Sequence, residues 1–151
     1  CSGFRLIKIM SDNKIIIQEF YKSLENSDFD SLNNLWHDDV TLTLIGSTAV
    51  SGTFSGKDAA IDLIEKGVLA NLEFESVSFA DRWNIVAAEN DVVVGTMTLK
   101  GKSIHRKDYN QIYCQIFTLK DQKIYKLLEF FDTALVEFAL FNKETINAKS
   151  T

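Results

Sequence analysis

The chain has no proline and only two cysteines. Without proline, turns must be read from Gly, Asn, Asp and Ser. Cys1 and Cys114 stand far apart in unlike contexts, so they form neither a disulfide framework nor a metal site. Cys114 lies in an alternating stretch and reads as a small buried hydrophobe. No apolar run approaches the roughly 20 residues that span a bilayer. No run of Lys or Arg exceeds two, as at Arg106-Lys107, whereas a nucleic-acid-binding domain gathers its basic residues on a face or stripe. Neither nucleic acid nor a membrane is therefore an expected partner. His37 and His105 are lone histidines in polar turns, with no Cys or His at ligand spacing, and read as solvated surface. No Ser-His-Asp order and no phosphate-cradling glycine loop is present.

What is there suits one domain. The 151 residues are 46% hydrophobic and include eleven Phe, enough for a real core. Sixteen basic against twenty-one acidic residues leave a net charge of −5. The expected organisation is an extension or expression remnant at 1–9, a domain at 10–142 and a tail at 143–151. Met10 followed by Ser11-Asp12-Asn13 looks like an ordinary start and helix cap. The alternative for Cys1-Ser2-Gly3 is the mature start of a lipid-anchored, exported protein. The main expectation is a cytoplasmic one.

Apolar residues at Ile16, Ile17, Phe20, Tyr21 and Leu24 repeat at helical spacing and predict a helix to about Asn26. Asp28 caps a second, shorter helix carrying Leu32, Leu35 and Trp36, closed by Asp38-Asp39. Val40 to Ile45 predicts a strand, with another short one near Ala49-Val50. Lys57 to Leu69 predicts a third helix, weakened by Gly67 in its last turn. From Leu72 the period becomes two. A phase slip between Phe74 and Val77 predicts a bulge in a long strand reaching Ala88. Strands follow at Val92–Leu99, Lys107–Leu119 and Ile124–Asp132, with turns at Glu89-Asn90-Asp91 and Lys120-Asp121-Gln122. Thr133 to Phe141 predicts a short helical tail. Helices grouped on one side of a strongly curved antiparallel sheet make an α+β fold. Such a sheet encloses a cone, and cones of this kind hold pockets.

Several segments together carry a resemblance. Glu19-Phe20-Tyr21-Lys22-Ser23-Leu24, Asp28-Phe29-Asp30-Ser31-Leu32 and Leu35-Trp36-His37-Asp38-Asp39-Val40 come first. Phe54-Ser55-Gly56-Lys57, Tyr109-Asn110 with Tyr113, and Lys123-Ile124 followed by Glu129-Phe130-Phe131-Asp132-Thr133 complete the set. In this order the chain resembles the SnoaL-like, ketosteroid-isomerase-like branch of the nuclear transport factor 2-like superfamily, over about residues 12–141. The resemblance implies a cystatin-like α+β barrel, a cone on about three helices from the N-terminal half. It also implies a homodimer paired through the outer sheet face.

The chemistry of the family carries over only in part. The isomerases use a carboxylate base, a Tyr and a protonated Asp. Those positions fall here at about Leu44, Phe20 and Gln115, so that mechanism is not expected. Epoxide hydrolases of the family place an Arg and a second Asp in the strand at Val92–Thr98, which holds neither. SnoaL-like cyclases use an acid eight positions after the Ile of the final turn, and counting from Ile124 gives Asp132. An apolar surround of Leu127, Leu128, Phe130 and Phe131 would raise its pKa. The competing reading is that Asp132 caps the helix beginning near Thr133. Glu129, three residues earlier, falls on the opposite face of a regular strand. There it reads as a salt-bridge partner on the convex face or at a dimer interface.

The expected site has Asp132 as general acid/base and Tyr113 as an orienting donor. Tyr109 and Gln115 share the face of Tyr113, and the alternative for these three is aromatic packing with edge hydrogen bonds. Phe20, Leu44 and Phe131 would complete the lining. Trp36 reads as pocket mouth or as a core anchor for the second helix. Asn110 faces away by alternation yet matches the family pattern. The ligand would be a small apolar, carbonyl-bearing molecule, with no cofactor and no metal. The alternative is a non-catalytic ligand-binding or dimerisation module.

Overall fold

The apolar stripe of the first helix folds onto a sheet. Ile17, Phe20, Tyr21 and Leu24 are all buried, and each such side chain contributes roughly 1.5–3 kcal/mol through burial. The computed structural model describes residues 2–144, with backbone alone for residues 2–11. Cys1 and residues 145–151, where the lipid-anchor reading and most of the expected tail fall, lie outside the described residues. Helix α1 spans Ser2–Glu25. It runs through Ser11-Asp12-Asn13, so these residues do not cap a helix start. Asp28 does cap α2, Phe29–Asn33, accepting from the Ser31 N–H.

Strand β1, Trp36–Leu44, begins earlier than expected. Trp36 pairs with Ile124 and stands in the sheet, not in the second helix. Strand β2 is Gly52–Ser55, beyond the predicted Ala49-Val50. Thr48 to Ser51 instead form a turn tied by the Thr48 and Ser51 side chains. Helix α3, Lys57–Asp62, widens into a π-helical turn at Leu63–Val68 and a 3-10 turn at Leu69–Asn71. Gly67 sits in that widened segment.

The long strand predicted from Leu72 starts only at Ser78, and β3 is Ser78–Glu89. Before it, Glu73 donates to the Lys102 carbonyl and Phe74–Ser76 form a 3-10 turn. That stretch is held by the β4–β5 connection instead of by β4. The slip of phase between Phe74 and Val77 is this 3-10 turn and not the expected bulge; the irregularities of β3 lie further on, with shifts of register between Ser78 and Arg82 and between Ile85 and Ala87. Strands β4 (Val92–Lys100), β5 (Gln111–Lys120) and β6 (Lys123–Phe131) follow. Asp121 and Gln122, at φ 52° and 60°, make the two-residue turn between β5 and β6. Helix α4, Thr133–Leu135, continues as a π-helical turn, Val136–Leu140.

The six strands lie in the order β2-β1-β6-β5-β4-β3. All neighbours are antiparallel except β1 and β6, which run parallel. The fold is α+β as expected, but its sheet is mixed. A parallel pair needs a long crossover, and here the connection is most of the chain. Along β5, Gln111, Tyr113, Gln115, Phe117 and Leu119 point inward and are buried. Cys114 is on the other face and only half-buried, so it is not the core residue predicted. Inside, Phe20 packs edge-on to Trp36 and Phe117 at 6.0 and 5.0 Å. Tyr21 stacks on Trp83 at 5.2 Å. These separations suit attractive aromatic pairs.

Candidate functional site

A bulge decides what enters the cone. Between Thr118 and Leu119 the pairing of β5 with β6 slips, because Thr118 lies across from Lys126 and Leu119 across from Ile124. Tyr125 is the extra residue. One inserted residue moves every later side chain to the other face. Ile124 and Leu127 therefore both point inward and are buried, and Glu129 and Phe131 follow Leu127 into the interior.

The interior holds a cavity of about 90 Å³, several times the space one water needs. Its wall is mostly Phe, Leu, Ile, Val and Met from α1, α2, the α3 segment and the sheet. Polar side chains reach it at Tyr109, Tyr113, Gln115 and Glu129. Glu129 is the charged residue of that wall. The Gln115 Nε2 donates to Glu129 Oε2 at 2.9 Å. The second carboxyl oxygen takes no hydrogen bond among the described residues. Burial pushes the Glu129 carboxyl up from 4.5 to about 7, and the Gln115 hydrogen bond only partly opposes it. At neutral pH this group is divided between acid and base.

Two tyrosines complete the polar set. The Tyr109 and Tyr113 hydroxyls are 3.0 Å apart. Gln111 Nε2 donates to the Tyr109 oxygen at 3.4 Å and to the Asp132 carbonyl at 2.9 Å. Burial pushes Tyr113 well above its ordinary value and Tyr109 up to about 12. Both remain neutral donors throughout the working pH range. Trp36 is buried in the same wall, and its Nε1 makes no hydrogen bond among the described residues.

Of the residues expected at the site, Tyr113, Trp36, Tyr109, Gln115, Phe20, Leu44 and Phe131 all line the cavity. Asp132 does not. Its side chain is exposed and accepts from the Leu135 N–H at 3.1 Å, capping α4. The helix-cap reading therefore describes it, and the acid in the cavity is Glu129, which was expected outside. Asn110 is exposed as well, and its Oδ1 accepts from the Gly101 N–H at 3.4 Å. His37 is less solvated than expected: its ring packs on Tyr125 at 5.2 Å and its Nε2 lies 3.5 Å from Asp121. Glu129 had one legible signal. Leu127 and Phe131, two residues either side, share its face in any regular strand.

The SnoaL-like domain family model matches residues 17–127. The chain belongs to the SnoaL-like domain family. No curated protein matches it significantly. Solved structures share the fold of this SnoaL-like chain at low identity. An NTF2-like protein of unknown function from Burkholderia pseudomallei is 16% identical, with a TM-score of 0.73 over 87% of this chain and 98% of that one. A proposed isomerase from Bacillus subtilis is 17% identical, with a TM-score of 0.70 over 91% of this chain and 97% of that one. TerC, co-crystallised with polyporic acid, is 18% identical, with a TM-score of 0.66 over 83% of this chain and 98% of that one. Among the described residues, no helix of the SnoaL-like chain is long and apolar enough to cross a membrane. No cluster of three His, Cys, Asp or Glu is placed there to hold a metal.

Proposed function

We propose that this protein binds a small, neutral, mainly apolar molecule bearing a carbonyl group and moves a proton on it, as an isomerase or cyclase does. One observation carries the reading: the Glu129 carboxyl stands in an apolar cavity with its pKa raised to about 7. A general acid/base works best with a pKa near the operating pH. Glu129 removes a proton beside the ligand carbonyl and returns it at another carbon, ending in its starting state. Tyr113 donates to the carbonyl oxygen, where negative charge develops. Tyr109 orients Tyr113 through the hydroxyl pair. Phe20, Leu44, Trp36 and Phe131 hold the apolar body of the ligand. Family membership and the fold shared with a proposed isomerase and with a protein crystallised with polyporic acid support the reading at this level.

The test uses Glu129→Gln and Asp132→Asn, assayed on carbonyl-bearing cyclic compounds found to bind. Loss of turnover in the first with retention in the second is expected. Full activity in Glu129→Gln would overturn the assignment.

A second feature favours association of two copies. Ile112 on β5 and Phe130 on β6 are exposed on the outer sheet face at 63% and 42%. Phe130 lies across from Cys114 on that face. We propose that a second copy covers it.

A further inference from the structure

Glu129 ends a buried chain of hydrogen bonds that begins outside the cavity. The Tyr21 hydroxyl donates to Gln115 Oε1 at 2.8 Å, and Gln115 Nε2 donates to Glu129 Oε2 at 2.9 Å. Tyr21 is completely buried and is not part of the cavity wall. Its ring is fixed by the Trp83 stack and by edge contacts to Phe20 and Phe117. Gly95 lies across from Gln115 on β4, and a Cβ there would collide with the Tyr21 hydroxyl. Glycine thus leaves the space in which that hydroxyl reaches the sheet.

We propose that Tyr21 is a positioning residue for Glu129, acting through the carboxamide of Gln115. An ionised carboxylate only accepts, so Gln115 must turn its NH₂ toward it. The amide oxygen is then left facing Tyr21, in a buried place where it needs a donor. The phenol supplies one. A protonated Glu129 gains a donor of its own, and the flipped amide, with its oxygen toward Glu129, becomes a competing arrangement. By holding the amide oxygen, the Tyr21 hydroxyl opposes that flip and favours the ionised acid.

The surroundings leave this chain as the main adjustable influence. In the cavity wall that holds Glu129, β5 and the residues before it present Gln115, Tyr113 and Tyr109, and β1 presents Leu42 and Leu44. Helix α1 contributes Phe20 and the C-terminal segment Val136. No second charged side chain stands in that wall. The proposal rests on the reading of Glu129 as the proton-carrying acid, but its test does not require turnover.

The test follows the Glu129 carboxyl carbon by NMR in protein labelled at glutamate Cδ, with the signal assigned by its loss in Glu129→Gln. Tyr21→Phe keeps the ring and removes the hydroxyl. The titration midpoint is expected to rise by about one unit. A packing role alone would lower thermal stability and leave the midpoint in place, and an unchanged or lowered midpoint in folded Tyr21→Phe overturns the proposal. If that variant does not fold, the parent protein decides. The Tyr21 Cζ and Gln115 Nε2 signals are expected to move with the Glu129 midpoint, and a Tyr21 signal flat across that titration overturns it. Because the readout is a titration of the resting protein, an active Glu129→Gln would sink the catalytic reading without blurring this result.

Discussion

Gln115 lies directly across from Glu129 in the β5–β6 pair, and its amide donates to the carboxyl at 2.9 Å. The remaining neighbours in the cavity wall are mostly apolar, so one neutral donor stands against the cost of burying a charge.

That balance gives a pH dependence with a definite sign. The folded pKa of Glu129 is about 7 against an ordinary value of 4.5. Between these values the folded state binds more protons than the unfolded one. Glu129 therefore lowers stability as pH rises from 4.5 through 7, and the loss levels off only about one unit above the folded pKa, once the folded group is also ionised. The full effect is at most about 3 kcal/mol. Denaturant unfolding across this range should show the slope in the parent protein and its loss in Glu129→Gln.

The same substitution should lower turnover by about 10²–10⁴-fold. The pH–rate profile of the parent should show a limb near pH 7 that belongs to this group. Tyr113→Phe, which removes the donor and keeps the ring, should cost about 10²-fold in kcat. Steady-state kinetics at several pH values check both.

Asp132→Ala should lower stability by about 0.5–2 kcal/mol through loss of the α4 cap, and Asp132→Asn by less, since Asn also caps well. Neither should move the Glu129 titration. Chemical denaturation and the carboxyl NMR signal separate the two effects.

Gly95→Ala should destabilise the fold by about 1–3 kcal/mol. The added methyl would meet the Tyr21 ring as well as its hydroxyl, and the buried stack on Trp83 stops the ring from swinging aside. Thermal unfolding monitored by near-UV circular dichroism reads the loss together with the disturbed aromatic packing.

If a second copy covers the outer face, Ile112→Lys with Phe130→Lys should convert a dimer into a species of one chain, 17.1 kDa, in light scattering. A parent protein that already scatters as one chain would end the idea.

The sequence by itself determined the α+β class, the turns at Asn90 and Asp121, and the inward face of β5. These follow from local periodicity and turn chemistry, which a single segment carries within itself. It also placed the polar part of the β5 lining, because Tyr109, Tyr113 and Gln115 alternate with outward residues. The start of β1 at Trp36 and the parallel β1–β6 pair were decided by partners far along the chain. So was the identity of the acid. Counting from Ile124 in even steps leads to Asp132, and in β6 both faces are apolar at Leu127-Leu128 and Phe130-Phe131, so alternation could not correct the count. The slip of register at Tyr125 exists only when β5 lies beside β6. It turns Glu129 into the cavity and leaves Asp132 to cap a helix, because one inserted residue reverses the faces of every residue after it.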